Sequence, residues 1–159
     1  MHVAVLTVSD RCSQGMAMDT SGPALVAFLL RTWPDVEIET ALIPDEIVEI
    51  GDRLIQWCSQ RATLILTTGG TGLGPRDWTP EATRRVIDRE APGIAEAMRA
   101  QGAENNPMAW LSRGVAGLRG STLIVNLPGS PRGAVESLTV ILPLIRHGLE
   151  TIAGTETHP

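Results

Sequence analysis

The stretch TLILTTGGTGLGPRDWTPEAT, residues 63–83, joins a buried strand, a glycine-rich loop and the start of a helix. Residues 63–68 form an apolar run that is typical of a strand covered on both faces of its sheet. Thr79 and Pro80 suit the N-cap and the first turn of the helix that follows. A strand–loop–helix unit of this kind predicts an α/β fold.

The same alternation extends in both directions along the chain. Further strands are predicted at residues 2–9, 36–43 and 122–127, the last after a turn at Arg119-Gly120. Helices are predicted at residues 22–33, from residue 45 or 46 onwards, and at 80–89, 94–101, 108–113 and 133–149. A break or kink is expected in the last helix at Pro143. The helical spacing of Trp33, Trp57 and Trp110 predicts that these side chains lie in the core. This order predicts a three-layer α/β/α sandwich with a mainly parallel sheet. Residues 1–153 are expected to form a single domain and residues 154–159 a flexible tail.

Charge narrows the classes of function. The chain has 159 residues and a net charge of −5, and all thirteen basic residues are Arg. Without Lys there is no Schiff-base or P-loop lysine, and a generally acidic surface argues against non-specific nucleic-acid binding. Local clusters of Arg could still bind small phosphorylated ligands.

Cysteine, histidine and hydropathy patterns exclude further classes. Cys12 and Cys58 lie in unrelated contexts and form neither a disulfide framework nor a metal motif. His2, His147 and His158 are scattered, so a histidine metal centre is not expected. No apolar run approaches the ~20 residues that span a bilayer, and the first residues lack the basic start of a signal peptide. We therefore expect a cytoplasmic protein with no membrane partner.

Four polar junctions rich in glycine and proline are expected to lie together. Residues 10–21, 44–45, 69–79 and 128–133 each follow a predicted strand and precede a predicted helix. In a parallel sheet such junctions share the edge at the carboxyl ends of the strands, where ligands bind. An active site is therefore expected at that edge.

The glycine loop, residues 69–79, has the composition of an anion site. Gly69, Gly70, Gly72 and Gly74 permit positive φ and close approach of a ligand to the backbone N–H groups. Arg76 adds a charge with bidentate geometry for phosphate. The loop matches neither a P-loop nor a spaced G-x-G-x-x-G pattern. A tight structural turn with a solvated Arg is the alternative.

Two carboxylates follow predicted strands at the same edge. Asp45 lies in IPDE, residues 43–46, and Asp77 directly follows Arg76. A carboxylate pair suits Mg²⁺, which completes its coordination with phosphates and water. An Asp before a helix is also often an N-cap or a partner of the helix dipole, and that alternative stays open for Asp45.

Other polar groups complete the candidate site. Gly129 and Ser130, in NLPGSPRG at residues 126–133, offer N–H and hydroxyl donors, although the segment could equally be a simple strand-to-helix turn. Further hydrogen-bonding groups, none of which forms a nucleophile–base pair, are Thr7, Ser9, Asp10, Ser112 and Arg113. For the last two, placement in the core or at the surface is equally compatible with the sequence.

These motifs closely resemble those of the MogA-type molybdopterin adenylyltransferases, which are related to the G domain of gephyrin. The resemblance is carried by LTVSDR at residues 6–11, DTSGPAL at 19–25, IPDE at 43–46, GGTGLGPRDWTPEAT at 69–83 and SRGVAGLRGSTLIVNLPGSPR at 112–132. It covers nearly everything from Val3 to Leu149, in the order of the family. It implies an α/β/α fold, a homotrimer and a pocket shared by pterin and nucleotide.

The resemblance also implies roles for individual residues. Asp45 and Asp77 match the family's catalytic aspartates near Mg-ATP. Positions that line the family's ligand pocket are matched by Thr7, Ser9, Gly69, Gly70, Thr71, Gly72, Ser112, Pro128, Gly129 and Ser130. Asp10 and Arg76 join these substrate-binding candidates on their chemistry and position alone. Trp78 stands where the family has a small β-branched residue, which puts the shape of the loop beside Asp77 in question. Because the chain lacks Lys, any basic contact of the family must be made here by Arg.

The implied reaction is transfer of AMP from Mg-ATP to the terminal phosphate of molybdopterin, with Mg²⁺ as cofactor and ATP as co-substrate. The nucleophile belongs to the substrate and is already ionised, so no Ser-His or Cys-His pair is needed. The product is expected to pass to a molybdenum-insertion enzyme. Two alternatives stay open, a nucleotide-pyrophosphate hydrolase of a related domain and a non-catalytic molybdopterin-binding scaffold. Retention of Asp45 and Asp77 argues against the scaffold.

Overall fold

A six-stranded sheet forms the centre of the computed structural model, which describes residues 1–155. The strands are β1 (His2–Val8), β2 (Glu37–Ile43), β3 (Leu64–Thr68), β4 (Arg89–Glu90), β5 (Ala116–Arg119) and β6 (Thr122–Leu127). Their spatial order is β2-β1-β3-β6-β5-β4, and β2, β1, β3 and β6 run parallel. The prediction of a mainly parallel sheet is confirmed.

Helices cover both faces of the sheet. They are α1 (Asp10–Ser13), α2 (Ser21–Thr32), α3 (Ile47–Ser59), α4 (Thr79–Val86), α5 (Pro92–Asn105) and α6 (Pro131–Ala153), with a 3₁₀ helix at Pro107–Leu111. Val3 and Val5 of β1 pack with α2, α5 and α6, whereas Ala4 and Leu6 pack with α3 and α4. Because successive side chains of a strand point to opposite faces, one strand serves two cores. The three-layer α/β/α prediction is therefore confirmed.

The β4–β5 edge departs from the parallel arrangement. β5 pairs antiparallel with both β6 and β4. Two residues, Gly120 and Ser121, separate β5 from β6, and Gly120 has a φ of +55°. A connection this short can only join antiparallel strands, so the predicted turn at Arg119-Gly120 explains the reversal.

The structure differs from two predictions about helical segments. Of the break or kink predicted at Pro143, only the break is wrong, because α6 is continuous through this residue, which lies on the exposed face, where a carbonyl that loses its N–H partner can be hydrated. Trp110 is 58% exposed rather than in the core, because the short 3₁₀ helix lies at the surface. Trp57 is fully buried as expected, and Trp33 is half-buried against the core that α2, α5 and α6 form with the sheet.

Other differences lie at short elements and at the end of the chain. The single turn α1 and the two-residue strand β4 were not predicted, because elements so short show no periodicity. Gly154 ends α6 in a left-handed conformation, and residues 156–159 of the predicted tail lie outside the described residues. No helix within residues 1–155 is long and apolar enough to cross a membrane.

The strand order sets the position of the candidate site. β1 and β3 are neighbours, and the chain leaves them towards opposite edges of the sheet, from β1 to β2 and from β3 to β4. In open α/β sheets the loops separate at such a point and leave a crevice outside the carboxyl ends of the strands.

Candidate functional site

The four predicted junctions meet at the carboxyl edge of the parallel strands. The N–H of Asp45, after β2, donates to Oδ1 of Asp10, after β1, at 3.0 Å. Thr68, at the end of β3, donates its hydroxyl to the carbonyl of Pro128, after β6, at 2.6 Å. Contacts between side chains and backbone therefore join loops that are 35 and 60 residues apart in the chain.

The carboxylate cluster, which we define as Asp10, Asp45 and Asp77, lies around the glycine loop. Oδ1 of Asp45 accepts the N–H of Trp78 at 3.0 Å, and Oδ2 of Asp77 accepts the N–H of Gly74 at 2.8 Å. Trp78 holds Asp45 through its backbone, so this contact does not depend on the side chain in which the sequence departs from its family. The aspartates from two separate junctions thus converge on one loop.

Close approach of these carboxylates requires glycine in the loop. A Cβ atom at Gly70, whose φ is +64°, would lie 2.8 and 2.9 Å from the two carboxylate oxygens of Asp45. At Gly72 and at Gly74 a Cβ atom would lie 2.8 Å from Oδ2 of Asp77. Such distances are shorter than any carbon–oxygen contact between non-bonded atoms, so the loop accommodates both carboxylates only because it lacks side chains here.

Burial and neighbouring charge make Asp45 unlike an ordinary aspartate. Its residue surface is 6% exposed. Burial, together with the charges of Asp77 and Asp10, raises its pKa to about 6, against the opposing effects of the Trp78 N–H and of Arg76. Asp45 therefore carries a charge at neutral pH that its surroundings stabilise poorly, which is the condition of a group that a cation would stabilise.

Arg76 lies among carboxylates. Its Nε donates to Oδ2 of Asp10 at 2.6 Å, and its Nη2 donates to Oε1 of Glu46 at 2.7 Å. The hydrogen bond from Arg76 holds the pKa of Asp10 below its ordinary value. Arg76 thus ties the glycine loop to the ends of β1 and β2.

The candidates at the end of β1 also have structural partners. Thr7 donates its hydroxyl to Oδ2 of Asp19 at 2.7 Å, and Ser9 caps α1 by accepting the N–H of Cys12. At Gly69 a Cβ atom would lie 2.2 Å from the carbonyl oxygen of Val8, so this glycine lets the loop pack against β1. Thr7, Ser9 and Gly69 do not line the pocket described next.

A pocket of about 500 Å³ opens beside the glycine loop. The predicted site residues that line it are Gly70, Thr71, Gly72, Asp77, Ser112, Pro128, Gly129 and Ser130. The structure thus separates the predicted residues into two groups. Asp10, Asp45 and Arg76 lie outside the pocket lining, and Asp77 belongs to both the carboxylate cluster and the pocket.

The pocket wall, which we define as the lining residues of α5, the 3₁₀ helix and α6, was missed by the sequence analysis. Its larger members are Met98, Arg99, Gln101, Asn105, Met108, Leu111, Glu136 and Val140. Arg99 is the one cation that lines the pocket among residues 1–155, and its Nη1 donates to the carbonyls of Gly114 at 2.9 Å and Ser112 at 3.3 Å. No motif marks α5, and an Arg on a helix is usually solvated, so the sequence carries no usable signal for it.

Asn126 is a second missed residue. It lines the pocket from the end of β6 and is almost fully buried. Its amide donates to the hydroxyls of Thr67 at 3.0 Å and Thr83 at 2.9 Å, while its Oδ1 accepts the N–H of Val115. An Asn inside an otherwise apolar strand is a signal that could have identified it, because a buried amide must find partners.

The carboxylate cluster fits a cation that also binds phosphate. Within residues 1–155 no group of three or more His, Cys, Asp or Glu side chains is arranged to hold a metal ion by itself. Asp45 and Asp77 nevertheless both pack against glycines of the same loop. Mg²⁺ commonly takes one or two carboxylates and completes its shell with phosphate oxygens and water.

Comparison with known proteins places these features in one family. The family described as "Probable molybdopterin binding domain" matches residues 4–147. Gephyrin from Dictyostelium discoideum is 43% identical over 94% of this chain, which spans 22% of that protein's length. The molybdopterin adenylyltransferase of Helicobacter pylori is 40% identical, with 97% of this chain and 89% of the relative covered.

A solved structure agrees with the sequence comparison. The molybdopterin biosynthesis enzyme MoaB from Thermus thermophilus superposes with a TM-score of 0.89 at 51% identity. The superposition covers 96% of each chain. The match therefore includes the sheet, both helical layers and the junctions that form the candidate site.

Proposed function

This chain belongs to the molybdopterin-binding domain family, and from that premise we propose that it is a molybdopterin adenylyltransferase. It transfers AMP from Mg-ATP to the terminal phosphate of molybdopterin, in the biosynthesis of the molybdenum cofactor. The observation that carries the proposal is the position of Asp77, which belongs both to the carboxylate cluster and to the lining of the pocket. A phosphate at this boundary reaches both groups of residues at once.

The pocket suits a pterin with a charged end. Met98, Leu111 and Val140 supply apolar surface, and Arg99 supplies a positive charge. Ser112 and Gly129 also line the pocket. We infer that the pterin ring packs against the pocket wall and that its phosphate points to the glycine loop, where backbone N–H groups can donate hydrogen bonds to it.

The carboxylate cluster suits the triphosphate of ATP. Asp45 and Asp77 would hold Mg²⁺, which neutralises phosphate charge and stabilises the charge that develops on the departing pyrophosphate. The glycine loop lets the polyanions approach its backbone closely. Arg76, through Asp10 and Glu46, keeps the loop and the ends of β1 and β2 at a fixed separation.

The chemical step needs no protein nucleophile. An oxygen of the pterin phosphate attacks the α-phosphorus of ATP, and the bond from that phosphorus to the bridging oxygen of pyrophosphate breaks. The products are adenylylated molybdopterin and pyrophosphate. The residues act by aligning two anions in line and by lowering their repulsion, contributions that account for most of the catalysis in phosphoryl-type transfers.

The domain organisation, oligomeric state and cellular location of the protein are part of the same proposal. We propose that residues 1–153 act as one domain, that three copies assemble into a homotrimer, and that the protein works in the cytoplasm. Adenylylated molybdopterin is a substrate for a molybdenum-insertion enzyme, to which it would be handed over. Light scattering that gave a stable monomer at micromolar concentration would contradict the trimer.

The test of the function is incubation of the protein with molybdopterin and Mg-ATP, with mass detection of the pterin product. We expect a pterin heavier by one AMP unit and an equal amount of pyrophosphate, and neither when Mg²⁺ is chelated. Pterin binding without any AMP transfer would identify a scaffold. Hydrolysis of nucleotide pyrophosphates that is independent of pterin would identify the hydrolase alternative.

A further inference from the structure

Arg113 grips the glycine loop from the side of the pocket wall. Its Nε donates to the carbonyl of Gly72 at 2.7 Å, and its Nη2 donates to the carbonyl of Asp77 at 2.6 Å. Nη1 pairs with the carboxylate of Glu81 on α4, and the N–H of Arg113 donates to the carbonyl of Thr71 at 2.8 Å. One residue therefore holds the glycine loop at three carbonyls.

These contacts fix the backbone at Asp77. The carbonyl of Asp77 is held by Arg113, and its carboxylate is held by the N–H of Gly74. The side chain of Arg113 is 33% exposed, so its hydrogen bonds are partly shielded from water. A planar guanidinium reaches three acceptors in fixed directions, which the single ammonium of a Lys does not.

The same residue is attached to the pocket wall. Ser112 and Leu111, which precede it, line the pocket. Arg99 of α5 donates to the carbonyls of Ser112 and Gly114 on either side of it. The backbone of Arg113 is thus fixed to the wall at the same time as its side chain is fixed to the loop.

We propose that Arg113 is a positioning residue for AMP transfer, which sets Asp77 at a fixed place relative to the pterin pocket. The inference rests on the proposed function. Arg76 holds the same loop from the other side, but its side chain is 53% exposed, and its partners are the carboxylates of Asp10 and Glu46 and the carbonyl of Asp45 rather than carbonyls of the glycine loop. Arg113 is therefore the residue that aligns the glycine loop, which carries Asp77, with the pocket wall.

The test compares Arg113→Met and Arg113→Lys with Arg119→Met. Arg119 is a matched control because its Nη1 also donates to a backbone carbonyl, that of Val86, and because it pairs with Thr122 at the amino end of β6, away from the site. Both Arg113 variants should lose AMP transfer on the order of a hundredfold, the scale of a displaced reacting group. Their affinity for molybdopterin without ATP should stay within about threefold of the parent protein, because the pocket wall keeps its residues.

Two further readouts separate positioning from general damage. Amide hydrogen exchange at residues 72–78 should become faster in Arg113→Met and stay unchanged in Arg119→Met. When Asp77→Asn is already present, Arg113→Met should lower transfer by less than about threefold more, because both changes remove the same alignment.

The inference is overturned if Arg113→Met retains transfer, if the two losses multiply in the double variant, or if exchange at residues 72–78 is unchanged. It is also overturned if molybdopterin affinity falls as far as transfer does. Absence of AMP transfer in the parent protein would contradict the proposed function instead. In that case the exchange experiment still decides whether Arg113 holds the loop.

Discussion

The carboxylate cluster and the pocket wall are built by different means. The cluster gathers Asp10, Asp45 and Asp77 from loops that follow strands, and a buried carboxylate there has a pKa of about 6. The wall comes from α5, the 3₁₀ helix and α6, and consists mostly of small, apolar or amide side chains with Arg99 as a cation. The difference indicates a division of labour, in which the cluster acts on the triphosphate and the wall recognises the pterin.

The largest expected effect comes from filling the space beside the cluster. In Gly70→Ala the new Cβ would lie 2.4 Å from Oγ1 of Thr79 and under 3 Å from both oxygens of Asp45. We expect AMP transfer to fall by a hundredfold or more, on the order of the loss of a preorganised electrostatic element. Rates should be compared at equal folded fractions, because a clash with Thr79 also destabilises the start of α4.

Gly15→Ala is the matched control for backbone strain. Gly15 also has a positive φ, of +75°, but no atom lies within 4 Å of a Cβ placed there. It should cost stability of roughly 1 kcal/mol without changing the rate per folded molecule. Equal rates for the two variants would mean that the glycine loop is only a turn.

At the pocket wall we expect a smaller effect, which changes the affinity for molybdopterin rather than the rate of AMP transfer. Arg99→Met removes the positive charge from the pocket and keeps the length of the side chain. We expect the affinity for molybdopterin to fall about tenfold, the loss of roughly 1.4 kcal/mol expected for one charged hydrogen bond. Transfer at saturating molybdopterin should change less than threefold, because the side chain of Arg113 still holds the carbonyls of Gly72 and Asp77 when Arg99 is absent.

Isothermal titration without ATP measures the affinity, and Arg84→Met controls for the change in net charge. Arg84 pairs with Glu90 at 3.8 Å on the surface of α4, away from the pocket. If Arg99→Met lowers the rate of AMP transfer at saturating molybdopterin and leaves the affinity unchanged, Arg99 acts in catalysis together with the carboxylate cluster. That result would contradict the separate roles of the cluster and the pocket wall.

The last expected effect is on the free energy of unfolding rather than on activity, and it depends on pH. Because the pKa of Asp45 is raised to about 6 in the folded protein from an ordinary 3.8, its charge destabilises the fold increasingly as pH rises from about 4 through 6. Asp45→Asn should therefore be more stable than the parent above pH 6, by roughly 3 kcal/mol at most, since the pKa rises by about two units from 3.8 to about 6 and one unit corresponds to about 1.4 kcal/mol. Below pH 4 the advantage should disappear.

Thermal unfolding in chelator at pH 4 and pH 7.5 measures this difference. Asp52→Asn, on the exposed side of α3, removes the same charge and should show no such dependence on pH. A variant Asp45→Asn that is less stable at pH 7.5 would mean that Asp45 acts chiefly as a cap for the N–H of Trp78.

The cluster could be predicted from sequence because topology alone brings its members together. Asp45 and Asp77 each follow a parallel strand, and parallel strands share one carboxyl edge. What the sequence did not reveal is how these groups are paired. Arg76 was expected to face phosphate, but it lies between Asp10 and Glu46, a contact that depends on distances between loops rather than on any local pattern.

The wall could not be predicted for a different reason. Arg99, Met98 and Val140 lie on helices whose residue spacing indicates only which face is apolar. Whether such a face packs fully or leaves a pocket depends on how α5, the 3₁₀ helix and α6 lie against one another. Trp110 shows the same limit, since its helical spacing predicted the core and the structure exposes it.

The most direct test of the account is Asp77→Asn, because Asp77 lies where the cluster and the pocket meet. Molybdopterin affinity is measured without ATP, and AMP transfer is then measured with Mg-ATP at saturating molybdopterin. We predict an affinity that is unchanged or slightly higher, since a negative charge leaves the pocket lining, and transfer lower by about a hundredfold or more. If affinity and transfer fall together, Asp77 binds the pterin and the division between cluster and wall is wrong. If both are unchanged, Asp77 only supports the turn.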